Sequence, residues 1–301
     1  MKSLNIREFD DIMPYTKTYT ASVNASIDIY KVFKMIDIVP YSVVPKKRGR
    51  KRKGEKPVVE QTVPYGSIIY VNHEGNIRGV CLKPPSKNKE PSWFKNAISI
   101  VIMLDKPINF KVSGNGKFQM TGCLNHTHPE MCIKKIWEIL QKDPTAYTFT
   151  REPESFEAMI IPSMRNISIS LGFNVDRDKL NRFLQNQALI HCLLETTFWY
   201  TGANIKVPIT TSRFDTDITK IRYEDGEWIK TNAKYDEFVD ILPEEEQKKK
   251  LNEKRFNTFL VFHSGQVIFS GLTRETMRDM YYKFMNLMEN ARDQIEEKLE
   301  K

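Results

Sequence analysis

Two segments 149 residues apart are built on one pattern. Residues 110–122 read F-K-V-S-G-N-G-K-F-Q-M-T-G, and residues 259–271 read F-L-V-F-H-S-G-Q-V-I-F-S-G, with Gly116 matching Gly265 and Gly122 matching Gly271. In each, two short apolar runs flank a Gly-containing link, which is a hairpin signal. A helical period follows both hairpins. Ile133, Ile136, Trp137 and Leu140 mark one helix; Met277, Met280, Tyr281, Phe284, Leu287 and Met288 mark the other. Two copies in 301 residues imply a duplicated fold, because a solenoid needs more repeats.

The segments before each hairpin also run in parallel. Residues 20–29 alternate weakly as a strand, and Asp28 is placed to cap a helix carrying Val32, Phe33 and Ile36. Residues 68–71 and 77–82 read as a strand pair across His73-Glu74-Gly75-Asn76, and residues 97–104 as an apolar strand. In the second half, Ile167, Ile169, Leu171 and Phe173 alternate. Asp176 caps a helix carrying Leu180, Phe183 and Leu184, and residues 192–200 and 204–209 read as strands. The expected organisation is a loose arm over 1–15, a first repeat over 16–150 and a second over 151–301. The first repeat carries a basic insert at 45–57 and a loop at 84–95; the second carries a charged insert at 210–255. Each half is α+β, with helices on one face of an antiparallel sheet. The other face has no helices left to cover it and must meet water or a ligand.

Charge narrows the choice of ligand. The formal net charge is +8, and residues 46–56 hold eight Lys or Arg and one Glu, which leaves the remainder close to neutral. A nucleic-acid surface on the folded body must therefore work through local patterning. No apolar run is long enough to span a bilayer. Four Cys without a CxxC pair point away from a disulfide framework.

The order of elements, the hairpin at 264–271 and its looser counterpart at 115–122, and Arg165-Asn166-Ile167 resemble the TATA-binding protein family, in particular the divergent TATA-binding-like proteins of large DNA viruses. The resemblance runs from about Thr20 to the end, excluding the inserts. It implies a two-repeat saddle: a curved antiparallel sheet with helices on the convex face and a concave face for the minor groove of A/T-rich duplex DNA. It also implies apolar wedges at base steps and DNA bending, a mode of which that family is the standard instance. The expected partners are A/T-rich double-stranded DNA, other initiation factors and RNA polymerase, with no membrane, cofactor, metal or enzymatic activity. The expected location is a nucleus, a cytoplasmic viral factory or a virion.

Carried over position by position, the resemblance makes Phe262 a wedge, with Leu260 on its face. Ile268, Ser270 and Ser168 face the groove, Asn166 hydrogen-bonds minor-groove acceptors, and Tyr200 stands at a second wedge position. In the first repeat, Thr20 stands where the second Asn should be, Gln119 replaces an aliphatic residue, Thr121 is as expected and Ile77 is a loose wedge candidate. The main wedge position falls at Val112 or Ser113, depending on the placement of an extra residue at Gly114-Asn115. The resemblance thus implies a lopsided reader, in which the second repeat bends and the first mostly grips. The run Lys46, Lys47, Arg48, Arg50, Lys51, Arg52 and Lys53 resembles an AT-hook without its proline. It also reads as a phosphate-binding arm, a nuclear-localisation run or a solvated loop.

Two other constellations carry less. Cys123, His126, His128 and Cys132 have zinc-compatible spacing, but the second copy has no ligands at the matching loop. Asp215, Asp217 and Glu244–Glu246 lie in a polar insert without a phosphate loop. Other functions compatible with the chain are a docking module of a nucleic-acid-processing enzyme complex and a packaging protein acting through the basic run.

Overall fold

The structure, a computed structural model, describes residues 6–42, 62–82, 95–152, 154–185, 190–197 and 200–297, and of residues 195–197, 200 and 201 the backbone alone. By contact the chain forms two units. The first comprises Tyr19–Ile160 and Thr219–Thr231; the second comprises Met1–Thr18, Ile161–Ile218 and Asn232–Lys301. The division thus falls ten residues later than expected, and the insert is shared between the units.

Along the chain run β1 (Thr16–Val23), β2 (Ala25–Ile27), α1 (Ile29–Met35), β3 (Ser67–His73), β4 (Asn76–Gly79), β5 (Ala97–Met103), β6 (Pro107–Ser113), β7 (Lys117–Cys123), α2 (Thr127–Leu140) and β8 (Tyr147–Phe149). Then follow β9 (Glu157–Ser170), α3 (Arg177–Gln185), β10 (His191–Thr197), β11 (Tyr200–Pro208), β12 (Asp217–Glu224), β13 (Glu227–Lys234), α4 (Tyr235–Asp240), α5 (Glu244–Leu251), β14 (Phe256–Phe262), β15 (Gln266–Gly271) and α6 (Arg274–Ile295). The fold is α+β, and the strands of each unit pair antiparallel.

In the first unit the strand order is β1-β7-β6-β5-β3-β4; in the second it is β9-β15-β14-β11-β10. Reading β1 against β9, β7 against β15, β6 against β14, β5 against β11 and β3 against β10, one topology occurs twice. The strand β4 is an addition at the free edge of the first unit. Its turn is a short hairpin, with Glu74 at φ 48° and Gly75 at φ 87°, as an I′ turn requires. Residues 68–71 and 77–82 are therefore a hairpin as expected, but the counterpart of the β10–β11 pair is β3–β5.

Hydrogen bonds fix the correspondence to the residue. In the first unit Val23 N–H donates to Gly116 O at 2.9 Å and Ile27 N–H to Gly114 O at 2.8 Å; in the second, Leu171 N–H donates to Gly265 O at 2.9 Å and Val175 N–H to His263 O at 2.8 Å. Helix starts match as well. The Asp28 carboxylate accepts from the N–H of Tyr30 and Lys31 at 3.1 and 3.0 Å, and the Asp176 carboxylate from Lys179 N–H at 3.0 Å. Both satisfy otherwise orphaned amides of a first turn.

Alternate strand residues supply each core. In the first unit Ala21, Val23, Ile98, Ile100, Phe110, Val112, Phe118 and Met120 pack with Val32 of α1 and Ile133, Ile136, Trp137 and Leu140 of α2. In the second, Ile167, Ile169, Ala203, Ile205, Phe259, Val261, Val267 and Phe269 pack with Leu180 and Leu184 of α3 and Met277, Tyr281 and Phe284 of α6. Phe259 stacks on both Phe269 and Phe284, with centroids 4.1 and 3.9 Å apart. The helices of each unit therefore share one sheet face.

The N-terminal segment is not a loose arm over its described residues. Phe9 and Ile12 are buried in the second unit's core. Phe9 lies 5.5 Å from the Tyr281 ring, Tyr281 Oη donates to Arg7 O at 2.8 Å, and Arg274 holds the Asp10 carboxylate at 2.8 Å. The insert is ordered too. Asp225 and Gly226, both with positive φ, turn β12 into β13. Ile221, Tyr223 and Trp228 join the first unit's core beside Trp137 and Phe156, while Lys230 pairs with Glu130 of α2. Glu157, itself buried, ties this hairpin down by accepting from Lys220 at 2.7 Å and Arg151 at 3.3 Å. Among the described residues no helix is long and apolar enough to cross a membrane.

Candidate nucleic-acid interface

The face opposite the helices is read most directly from cross-strand partners, because residues directly opposed in a sheet share a face. In the second unit one row runs Leu193, Asn204, Leu260, Ile268 and Ser168 across five strands. The next runs Lys206, Thr258, Ser270 and Asn166, and Phe262 stands opposite Gly202. Neither core cluster includes a residue of these rows. Leu193 is 62% exposed and Ser168 is exposed, while Phe262, Ile268 and Ser270 are half-buried. Leu260 lies lowest, 8% exposed, and a Cβ on Gly202 would sit 2.7 Å from its Cδ1. Asn166 Oδ1 is buried and has no hydrogen-bond donor. Leaving such an atom unsatisfied costs about 1–3 kcal/mol; it is an acceptor, so only the amide's Nδ2 could donate to an acceptor of a ligand.

The matching rows of the first unit are more polar. One runs Ile77, Asn72, Ser99, Lys111 and Gln119; the next runs Tyr70, Val101, Asn109 and Thr121. Gln119 and Thr121 are exposed, and Thr121 Oγ1 donates to Asn109 O at 3.3 Å. Burial holds the Lys111 ammonium below the usual lysine range. Position for position, Lys111 and Gln119 stand where the second unit has Leu260 and Ile268.

This register corrects several expectations. No extra residue exists at Gly114-Asn115. Gly116 and Gly265 both take positive φ, and both N–H groups reach back to the residue three earlier, to Ser113 O at 3.0 Å and Phe262 O at 2.9 Å. The counterpart of Phe262 is therefore Ser113. Val112 is fully buried against the helices, opposite Phe118, and is excluded from the open face. The β1 and β9 correspondence runs at an offset of 148, since Val23, Ile27 and Asp28 match Leu171, Val175 and Asp176. Thr20, half-buried on the open side of β1, thus matches Ser168, and the position of Asn166 is held by Thr18. Ile77 is 49% exposed and on the open face, but it sits on the additional strand β4.

The Tyr200 side chain lies outside the described residues, as do Lys46, Lys47, Arg48, Arg50, Lys51, Arg52 and Lys53 and the loop at 84–94. Leu193, Asn204, Lys206 and Lys111 were not singled out from the sequence, although strand alternation places each one among the exposed rows. Of the zinc-spaced residues, His126 is exposed and His128 is buried, with Nε2 3.2 Å from Asp105 Oδ2 and Nδ1 3.4 Å from Leu124 N. Burial and neighbouring Cys123 push the Cys132 thiol up. Among the described residues no group of three His, Cys, Asp or Glu is placed to hold a metal.

The insert reaches the open face of the second unit. It borders that face at the start of β14, where Arg213, Glu253 and Arg255 line a cavity with Met164, Thr258 and Ser270.

No protein-family model matches the chain. The chain is similar to "Uncharacterized protein 335L" of Invertebrate iridescent virus 6, 25% identical over 300 residues that span 93% of this chain and 84% of that protein. Among solved structures it is similar to Methanococcus jannaschii TBP, with 13% identity and a TM-score of 0.42, covering 93% of this chain and 98% of that one.

Proposed function

We propose that this chain is a non-enzymatic DNA-binding protein of transcription initiation that recognises A/T-rich promoter duplex through the minor groove and bends it. In this reading the second unit wedges and the first mostly grips. The observation that carries it is the row Leu260–Ile268 with Phe262 beside it, bordered by Asn166, Ser168 and Ser270, on the sheet face opposite α3 and α6. A/T pairs present only acceptors in the minor groove, whereas G adds an amino donor. Hydroxyl and amide donors suit the first, and flat apolar side chains suit a groove floor without charge. A wedge that enters a base step unstacks it at about a few kcal/mol and is repaid by the surface that bent DNA wraps. The polar row Lys111–Gln119 has no such wedge, so the bend falls mainly on the second unit's side. Initiation factors and RNA polymerase are the proposed partners of the bound form.

The test is a binding and two-dye bending measurement on A/T-rich and G/C-rich duplexes. Phe262→Ala should cost about 1–3 kcal/mol of the preference and most of the bend on one side of the site, with little change in melting temperature because Phe262 is half-exposed. Equal wild-type affinity for both duplexes, or equal kinks at both ends, would contradict the proposal.

A further inference from the structure

We propose that Arg213 and Arg255, both carried by the insert between β11 and β14, form a seat for one backbone phosphate of duplex DNA at the rim of the second unit's open face. The proposal rests on the DNA-binding reading above and adds to it a contact that neither hairpin supplies. The cavity there holds about 220 Å³, room for roughly seven waters at their liquid volume of about 30 Å³ each, and so for a phosphate with some of its hydration. Its walls include Met164, Thr258 and Ser270 on the open side of the sheet, and Arg213, Glu253 and Arg255 from the insert.

The charges in this cavity are not balanced internally. Arg213 is stacked over the Tyr235 ring at 4.1 Å and donates through Nη2 to Pro162 O at 3.4 Å. Its Nη1 is 3.7 Å from Glu253 Oε2, beyond good hydrogen-bond range, and its buried Nε has no acceptor. Arg255 donates to Thr211 O at 2.9 Å. Glu253, the one acid lining the cavity, is shared with Lys250 at 3.4 Å. Burial, together with the neighbouring Arg213 charge, pushes the Arg255 guanidinium below the usual arginine range. Two close guanidiniums with one shared carboxylate leave a net positive pocket, and guanidinium forks match phosphate oxygens well.

Position identifies the anion as a DNA phosphate. The seven residues of β14 span about 23 Å at about 3.3 Å per residue, whereas the minor groove is about 6 Å wide. A duplex whose groove is seated on Leu260, Ile268 and Phe262 therefore brings one sugar–phosphate backbone towards the start of β14. Arg255 immediately precedes β14, at the end opposite Phe262. Phosphate contacts of this kind fix register without reading sequence.

The experiment compares wild type, Arg255→Gln and the charge-keeping Arg213→Lys in salt titrations of affinity for one A/T-rich and one G/C-rich duplex, with melting curves confirming equal folding. Arg255→Gln should weaken both duplexes by the same factor, about three- to tenfold at low salt, and lower the log–log salt slope by about 0.9. A/T preference and bend should stay unchanged. Arg213→Lys should keep the slope and lose affinity through loss of the fork. If wild type prefers A/T-rich DNA while Arg255→Gln leaves affinity and slope intact, this seat is wrong and the groove reading stands. A changed A/T preference at constant slope would assign Arg255 to base edges and also overturn it. A wild type without duplex affinity would remove both.

Discussion

Gly265→Ala tests the repeated hairpin geometry most directly. A Cβ on Gly265 would lie 2.0 Å from the carbonyl oxygen of Phe173, and its φ is +75°. The counterpart Gly116, at φ +72°, would place a Cβ 2.3 Å from Ala25 O. The left-handed backbone alone costs an L-residue about 1–2 kcal/mol. Relieving the overlap requires Phe173 to move, yet Leu171 N–H on Gly265 O and Val175 N–H on His263 O hold the chain on both sides of it. Loosening those two bonds costs about 1 kcal/mol each, so Gly265→Ala should lose about 3–4 kcal/mol in urea denaturation. Gly172→Ala is the internal control. It has φ +77° but nothing within 4 Å, and should lose only about 1–2 kcal/mol. If the two variants agreed within about 0.5 kcal/mol, the close approach would not be rigid and the argument for a fixed register would fail. Gly116→Ala should behave like Gly265→Ala, since the same pair of backbone bonds brackets it.

Two further outcomes follow from packing. Trp228, half-buried on the insert hairpin, meets Phe156 edge-on at 6.1 Å and Tyr223 at 5.2 Å; Trp228→Ala should cost about 2–3 kcal/mol, and a loss below about 0.5 kcal/mol in chemical denaturation would make the hairpin a passenger. Burial pushes the Cys192 thiol up to about 11, so its thiolate fraction at pH 8 is about a hundredfold below that of an ordinary thiol. In a Cys81→Ser background, its alkylation rate by iodoacetamide should still be rising at pH 10, and a plateau by pH 9 would contradict this.

The elements legible in the sequence were those whose signals are local and repeated. Asp28 and Asp176 cap helices as their positions imply, and the hairpins at Gly116 and Gly265 were visible as glycines between apolar runs. What failed were single-residue registers. Val112 was a wedge candidate only if the first hairpin carried an extra residue, and a slip of one residue sends every side chain to the other face. The weak alternation of residues 20–29 does not pin the first strand's register, so matching Thr20 to Asn166 slips that strand by two residues from the Thr20–Ser168 correspondence that its hydrogen bonds set. The β12–β13 hairpin did leave a mark. Asp225-Gly226 between alternating Ile221, Tyr223 and Trp228 is a strong turn signal, hidden by the charges of Lys220, Arg222, Glu224 and Glu227 around it. Phe9 and Ile12 formed too short a pattern to show a period, and only tertiary packing against Tyr281 explains their burial.

The two units also differ in what their similarly ordered sheets carry. On the helix side the pairs Phe110–Met120 and Val112–Phe118 match Phe259–Phe269 and Val261–Val267, all apolar and all buried. Any copy of this topology must bury that side to fold, so packing alone explains the likeness. On the open side Lys111–Gln119 stands against Leu260–Ile268, and Ser113 against Phe262. Folding imposes no such demand there, because either set can face water. An apolar row on an uncovered face carries a solubility cost that folding does not repay, so its presence in one unit and absence from the other must be set by what touches the face. If the proposed DNA bending is right, that asymmetry assigns the wedge to the second unit, and replacing Lys111, Ser113 and Gln119 by their second-unit counterparts should add a second kink in the two-dye bending measurement.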